Sequence, residues 1–456
     1  MKMRSINPFT EEVAAEFDVL PFEECAAAAG RAREAFAAWR AVPIGERRQR
    51  VRKAGELLRE NINHCARIAT EEMGKPVRQS VAEVEKCAWL CSYYAGAAEE
   101  ILRDEIVPTE GRRSLVTFEP LGVILGVMPW NFPFWQVIRC AIPAMAAGNV
   151  CLLKHASNVP RTALEIERIM HAAGFPKDVF QTLLTDAASA MRLIEDDLVD
   201  GVSLTGSGGA GSQVGAAAGK RIKKLVLELG GSDPFIVLDD ADIDKAAEMA
   251  LNARFLNTGQ SCVAAKRIIV QEDVAKEFQA KLLEGFQKLK VGDPMDESVF
   301  MGPVAKREFA EALEEQLADA RAKGATVHLG QEPPRGKGYF FRPAVVTNVT
   351  PDMKLLGEEV FGPILPIVVA GDEDEIVRIA NATEYGLGAS VWSRDLGRAE
   401  AMARRIVAGC VAVNDMVKSD PRLPFGGVKK SGVGRELSHY GLKEFTNVKT
   451  IMIQAP

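Results

Sequence analysis

Histidine is scarce in this chain: five in 456 residues, at positions 64, 155, 171, 328 and 439. Most fall within helical patterns, and none stands in a His/Asn or His/Asp arrangement that would serve a cysteine hydrolase. The eight cysteines (25, 65, 87, 91, 140, 151, 262 and 410) are scattered. There is no CxxC pair and no Cys/His cluster, so a structural zinc site is not expected, and free thiols in a reducing cytoplasm are the default reading. A long uninterrupted apolar run is also missing. The richest stretch, Leu121 to Ala147, contains Pro129, Pro133 and Pro143 together with Asn131, Gln136 and Arg139. A spanning helix does not accept that load, so a buried strand, a turn and a buried helix are expected. The first ten residues have no apolar core of a signal segment. No repeat, low-complexity segment or long linker is visible.

What is present is the composition of a globular protein, 47% hydrophobic and 26% charged, with a net charge of -6 and both signs interspersed. That argues against a general nucleic-acid surface. The length calls for two or three domains.

Residues 23 to 102 read as helical, with Val51, Ala54, Leu58, Ile62, Cys65 and Ala69 marking one apolar face. Residues 113 to 119 alternate like a half-exposed strand. From Val123 to Ala218 strands alternate with helices, which predicts a parallel sheet covered on both faces. A further strand, Lys224 to Leu229, ends at Gly230-Gly231, and a second α/β series runs to about Asn414. The tail, Thr446 to Ile453, reads as strand. The fold class is therefore α/β, with two open Rossmann-like domains and a cleft between them.

Several residues suit chemistry, each with a plainer alternative. Cys262 lies in Asn257-Thr-Gly-Gln-Ser-Cys262, a loop between a helix and a β-branched run, where a nucleophile can be presented; the alternative is a buried thiol. Gly206, Gly208 and Gly211 fit GxGxxG between a strand and a helix, a phosphate cradle or simply a glycine-rich turn. The acidic residue expected about twenty positions on is Glu228, but it ends the next strand, which speaks against the usual dinucleotide mode. Lys154 ends a strand, where ribose or phosphate binds in such sheets, or it is a surface lysine. Glu228, in an apolar strand, is a general base or half of a buried ion pair. Asn131 offers two N–H donors to an oxyanion, or forms a turn.

Taken together, Met128-Pro-Trp-Asn-Phe-Pro133, Leu153-Lys154, Leu204-Thr-Gly-Ser207, Leu227-Glu-Leu-Gly-Gly-Ser232, Asn257 to Cys262, Glu358-Glu-Val-Phe-Gly-Pro363 and Pro424-Phe-Gly-Gly-Val-Lys429 resemble the NAD(P)-dependent aldehyde dehydrogenase superfamily over nearly the whole chain. Phe134-Trp135, Lys154-His-Ala-Ser-Asn-Val159 and Met416 to Gly427 look most like its short bacterial succinate-semialdehyde dehydrogenases. The resemblance implies that Cys262 attacks the aldehyde, Asn131 and the Cys262 N–H hold the oxyanion, and Glu228 activates water to cleave a thioester. It implies that Trp130, Lys154, Ser157, Gly206, Ser207, Leu229, Glu359 and Phe361 bind the cofactor. It implies that Arg139, with Trp135 and Ser419, receives a carboxylated substrate. The implied domains are a cofactor domain (1–108 and 121–229), a catalytic domain (230–431) and an oligomerisation arm (109–120 and 432–456) that would make a homodimer or homotetramer.

Three departures shape the expectations. Ser157 stands where many NAD-preferring members have Glu, which favours NADP over NAD. Ala264 stands where some succinate-semialdehyde dehydrogenases carry a second cysteine, so that disulfide switch is excluded. Leu256 stands where some place a second arginine, so carboxylate binding would rest on Arg139 with help from Ser419; the alternative for Arg139 is a structural carboxylate partner. The runner-up substrate is another aliphatic, amino- or hydroxy-aldehyde. A non-catalytic protein on the same scaffold is disfavoured by Cys262, Glu228 and Asn131 together.

Overall fold

The computed structural model describes residues 2–455. It opens on a hairpin, β1 (Lys2–Ile6) and β2 (Val13–Asp18), which sequence reading did not anticipate. The turn is set by Asn7, whose Oδ1 accepts from the N–H groups of Phe9 and Thr10. Four helices follow: α1 (Phe22–Trp39), α2 (Ile44–Glu60), α3 (Ile62–Met73) and α4 (Val77–Ile101). Val51, Ala54 and Leu58 of α2 and Cys65 and Ala69 of α3 are fully buried, as the apolar face required. Next come β3 (Glu105–Ile106) and β4 (Arg113–Pro120).

The first α/β series is β5 (Val123–Met128), α5 (Trp135–Ala147), β6 (Val150–His155), α6 (Pro160–Ala172), β7 (Phe180–Thr182), α7 (Ala187–Glu195), β8 (Gly201–Thr205), α8 (Gly208–Lys220) and β9 (Lys224–Glu228). Its strands lie in the order β9-β8-β5-β6-β7, all parallel. The order reverses at β5, and ligands bind outside the carboxyl ends of strands at such a switch point.

The second series is β10 (Asp233–Val237), α9 (Ile243–Phe255), β11 (Ala265–Gln271), α10 (Glu272–Phe286), α11 (Arg307–Ala322), β12 (Thr326–Leu329), β13 (Ala344–Thr347), α12 (Lys354–Gly357), β14 (Ile364–Ala370), α13 (Glu373–Asn381), β15 (Gly388–Trp392), α14 (Leu396–Arg405) and β16 (Cys410–Val413). These strands form a seven-stranded sheet, β12-β13-β14-β11-β10-β15-β16. One core lies between this sheet and α9 and α10, another between it and α13 and α14.

The chain then returns to the first sheet. β17 (Gly432–Val433) pairs antiparallel with β9, and α15 (Ser438–Glu444) packs on α4 and α5, where Tyr94 donates to the Ser438 carbonyl at 3.1 Å. Leu437, Leu442 and Phe445 join the core of the first series. Residues 432–445, placed with the arm by sequence, therefore belong to the first domain. Their apolar side chains have a core within reach, whereas β18 (Thr446–Ile453) finds only β4, with β3 beyond it, in a separate three-stranded sheet.

Candidate active site

Where the carboxyl ends of the six-stranded sheet meet the amino ends of β11 and β14, the expected residues converge. Asn131 follows β5, Glu228 ends β9, and Cys262 lies just before β11. The turn that presents Cys262 is left-handed through three residues, Asn257 (φ 53°, ψ 36°), Thr258 (φ 54°, ψ 33°) and Gly259 (φ 74°). Such conformations cost about 1–3 kcal/mol per non-glycine residue and persist only where neighbours over-determine them. Here Asn257 donates its side-chain N–H groups to the Asn131 carbonyl (2.7 Å) and the Gln260 carbonyl (3.1 Å). Its backbone N–H donates to Gln79 Oε1 (2.7 Å). Asn131 Nδ2 donates to the same Gln260 carbonyl at 3.1 Å, which leaves its second N–H for an oxyanion. The nucleophile loop and the amide donor are thus held as one unit. Gly259 is required on space as well: a Cβ there would lie 2.5 Å from the Gly362 backbone.

The Cys262 thiol is pushed well above its ordinary pKa, first by burial and then by the nearby Glu228 carboxylate; Lys266 and Arg139 oppose this. Cys262 therefore rests as a neutral thiol beside the Glu228 carboxylate, whose Oε1 is buried without a hydrogen-bond partner.

Glu228 is 2% exposed and has its own partner. Arg139 Nη2 donates to Glu228 Oε2 at 3.1 Å and to Thr205 Oγ1 at 3.2 Å, while Arg139 Nε lies 2.6 Å from Glu436 Oε2. Arg139 was expected to present a free guanidinium to a substrate carboxylate. Instead it is 1% exposed, with two carboxylates matching its charge. A buried guanidinium without such partners is too costly to keep. Burial pushes Glu436 up to about 7 despite Arg139.

A tunnel of about 460 Å³ leads to Cys262, lined by Phe132, Trp135, Arg139, Lys86, Ser419 and Phe425 among others. The helix α5 that carries Trp135 and Arg139 starts under control of Glu83, whose Oε1 accepts from the N–H groups of Phe134 and Trp135, both at 2.8 Å. Glu83 is paired in turn with buried Lys75. Of the loop residues after β16, Lys418 pairs with Asp415 and Asp420 with Arg422, while Ser419 lines the tunnel and its Oγ accepts from Lys86 at 2.8 Å.

On the cofactor side, Ser207 caps α8, its Oγ accepting from the Ala210 N–H at 3.3 Å, and Gly208 and Gly209 face open space. Leu229 packs on Gly211 so closely that a Cβ there would meet it at 2.5 Å. Trp130 stacks on Phe309 (4.9 Å) and meets Phe361 edge-on (5.8 Å). Glu359 accepts from the Gly231 N–H (3.1 Å) and pairs with Lys266 (3.0 Å), which also donates to the Cys262 carbonyl at 2.6 Å. Lys154 and Ser157 share a second cavity, of about 580 Å³, with Asn158, Asp186 and Lys306. Asn158 Nδ2 is buried there without a partner. Gly206 follows β8, where its N–H donates to the Glu228 carbonyl at 3.0 Å. These groups fit a dinucleotide: open amide ends for phosphates, aromatic walls, and unpaired donors near Lys154.

The aldehyde dehydrogenase family model matches residues 1–451. The chain belongs to the aldehyde dehydrogenase family. Among curated relatives it is 46% identical over 453 residues to a probable succinate-semialdehyde dehydrogenase [NADP(+)] of Synechocystis, covering 99% of this chain and 100% of the relative. It is 44% identical over 458 residues to a succinate-semialdehyde dehydrogenase [NADP(+)] of Mycobacterium tuberculosis, covering 99% and 100%. The crystal structure of the succinic semialdehyde dehydrogenase of Streptococcus pyogenes in complex with NADP+ superposes with a TM-score of 0.97 at 35% identity, covering 99% of this chain and 100% of that one. No cluster of three or more His, Cys, Asp or Glu that could hold a metal ion occurs among the described residues. No described helix is long and apolar enough to cross a membrane.

Sequence reasoning missed four contributors. Glu436 sits in the segment assigned to the arm. Lys266 reads as the start of a strand, Glu83 and Lys86 as polar positions of an amphipathic helix. Only the three-dimensional partners distinguish them.

Proposed function

We propose that this protein oxidises succinate semialdehyde to succinate with NADP+ as the favoured acceptor. The observation that carries this reading is the single tunnel in which Cys262, the Asn131 loop and a cationic wall meet. The names of the relatives support the substrate and the cofactor.

Glu228 takes the Cys262 proton, and the sulfur forms a bond to the aldehyde carbon as the carbonyl π pair moves to oxygen. The Asn131 Nδ2–H and the Cys262 N–H hold that oxyanion. The nicotinamide, when bound, supplies an acceptor for the hydride that leaves this carbon. Cys262 then carries a thioester. Once its first proton has passed to solvent, Glu228 removes a proton from water, whose oxygen attacks the thioester carbon and displaces the thiolate, and the thiolate then recovers that proton from Glu228. Trp130, Phe361, Ser207, Gly206 and Leu229 would hold the cofactor, with Glu359 at a ribose. Lys154, Ser157 and Asn158 would take the 2′-phosphate, since none of them carries the negative charge that would repel it.

The arm supports self-association. β18 is an edge strand exposing Val448, Ile451, Met452 and Ile453, a pattern that invites pairing with a second copy. With all eight cysteines free, a reducing compartment such as the cytoplasm suits the chain.

The test is appearance of NADPH with succinate semialdehyde, compared with butanal and with NAD+. Cys262→Ala should abolish it in a protein that melts normally. Normal turnover in that variant, or no preference for the semialdehyde over butanal, would overturn the assignment.

A further inference from the structure

Lys266 is an ammonium in a place built for apolar side chains. It is the second residue of β11, a strand buried along its whole length, and is itself 1% exposed. The register between β10 and β11 accounts for where it points. Asp233 stands opposite Ala265 and Pro234 opposite Arg267, so Lys266 is one residue extra, a β-bulge. Pro234, which has no N–H to give a ladder, sits at that same irregularity. Such a bulge re-aims a side chain. Here the Lys266 Nζ is aimed at two acceptors, the Cys262 carbonyl at 2.6 Å and Glu359 Oε1 at 3.0 Å. A buried ammonium is kept only where partners of this kind match it.

Two glycines make room for the arrangement. A Cβ on Gly230 would collide with Glu359 Oε2, and one on Gly231 would lie 2.8 Å from the Cys262 carbonyl oxygen. The Gly231 N–H completes the hold on Glu359 Oε1 at 3.1 Å. Oε1 is thus taken up by the protein, while Oε2 accepts from none of the described residues. One ammonium therefore joins three pieces of the site: the exit from the Glu228 strand, the nucleophile loop and the carboxylate proposed to hold a ribose.

We infer that Lys266 is a positioning residue through which Glu359 governs Cys262: the ammonium fixes the carbonyl of the nucleophile, and the part of its charge that reaches the sulfur is the part Glu359 does not neutralise. This rests on the function proposed above, in which Cys262 is the nucleophile, and deepens it. Three charged side chains act on the thiol most strongly. Glu228 faces it from β9 and favours the protonated sulfur; Lys266 from β11 and Arg139 from α5 favour the thiolate. Arg139 is already matched by Glu228 and Glu436. Lys266 has Glu359, with Asp233 of β10 also near it. Burial pushes the Asp233 carboxyl up to about 7, although Lys266, the Gly388 N–H and Arg267 oppose this. Near neutral pH Asp233 is therefore about half protonated, and Glu359 is the main counter-charge of Lys266. Neutralising Glu359 leaves the ammonium in place but unmatched, which favours the thiolate. Removing Lys266 disfavours it. Two substitutions in one ion pair are thus expected to act on the sulfur with opposite signs, whereas a merely structural pair would give one sign.

The experiment follows alkylation of Cys262 by iodoacetamide in the full chain without cofactor, read by peptide mass, from about pH 6.5 to 10. It compares the unchanged protein with Glu359→Gln, Lys266→Met and the double variant. At each pH below the thiol pKa, Glu359→Gln should speed alkylation about tenfold and Lys266→Met should slow it about tenfold, each equivalent to about one unit in that pKa. In the Lys266→Met background, Glu359→Gln should have no further effect. Slowing by both single variants, or an equal Glu359→Gln effect with and without Lys266, would overturn the inference. If Lys266→Met does not fold, Glu359→Gln alone decides, and an unchanged or slower rate in it overturns the inference. NADPH formation surviving in Cys262→Ala would instead overturn the function on which the inference rests.

Discussion

Arg139→Ala separates two roles that one arginine could have. As a substrate clamp, Arg139 would contribute a charge-assisted hydrogen bond of about 1.5–3 kcal/mol, hence about a 10- to 100-fold change in KM for the semialdehyde and nothing for butanal. The geometry leads elsewhere. The guanidinium lies 3.1 Å from Glu228 and 2.6 Å from Glu436, and all three side chains are buried. Deleting it leaves two carboxylates facing one cavity, and breaking a buried pair in this way costs about 3–5 kcal/mol. Part of that cost is avoided if the two carboxylates share a proton, as like charges at close range do. Glu436, already raised to about 7 with the arginine present, would rise further. A Glu228 drawn into proton sharing is a poorer base, and general-base catalysis is worth about 10²–10⁴-fold. Arg139→Ala should therefore lower kcat by that order with both aldehydes, and it should lower the melting temperature. Steady-state kinetics on both substrates and a thermal melt read all of this. A 10- to 100-fold rise in KM confined to the semialdehyde, with butanal kinetics and melting unchanged, would refute the reasoning and return Arg139 to the clamp role.

Glu228→Gln should impair thioester hydrolysis more than acylation; stopped-flow should show a burst of reduced cofactor followed by turnover slowed at least about 10²-fold, and loss of the burst itself would assign Glu228 mainly to the thiol. Ser157→Glu places a carboxylate beside Lys154 where the 2′-phosphate is proposed to bind; kcat/KM for NADP+ relative to NAD+ should fall at least about tenfold, and an unchanged ratio would show that this position does not set the preference. Gly259→Ala meets both a positive φ and the Gly362 backbone, whereas Gly324→Ala meets only a positive φ with open space around it. The first should lose activity and stability and the second only about 1–2 kcal/mol of stability; equal effects would show that close approach at Gly259 is unimportant.

The strands and helices of both series were legible because each is an apolar run or stripe bounded by glycine, proline or charge. β5, β6 and β8 are buried on both faces, and β5 and residues 150 to 153 of β6 read as runs without a polar side chain. Cys262, Glu228 and Asn131 were legible because each is polar or reactive in a place where packing alone does not ask for it. The hairpin β1–β2 was not, since β2 is mostly exposed and carries little hydrophobic signal. The partner of Arg139 was ambiguous for a different reason. Local sequence shows that a buried guanidinium needs an anion, but whether that anion is a substrate or a side chain depends on what the chain brings back from far away. Here it brings back Glu436, on a segment whose short strand pairs with β9, the strand that ends in Glu228.

That return also sets the charge balance beside Cys262. Close to the reacting carbon, a free guanidinium would hold the thiolate so well that its nucleophilicity would suffer, and it would draw Glu228 permanently away from Cys262. Matching Arg139 with two carboxylates leaves the trio with no surplus positive charge, and Glu228 Oε1, buried without a partner, stays available beside the thiol. Because Arg139 is held between Glu228 and Glu436, a substitution there should change turnover of carboxylated and neutral aldehydes alike.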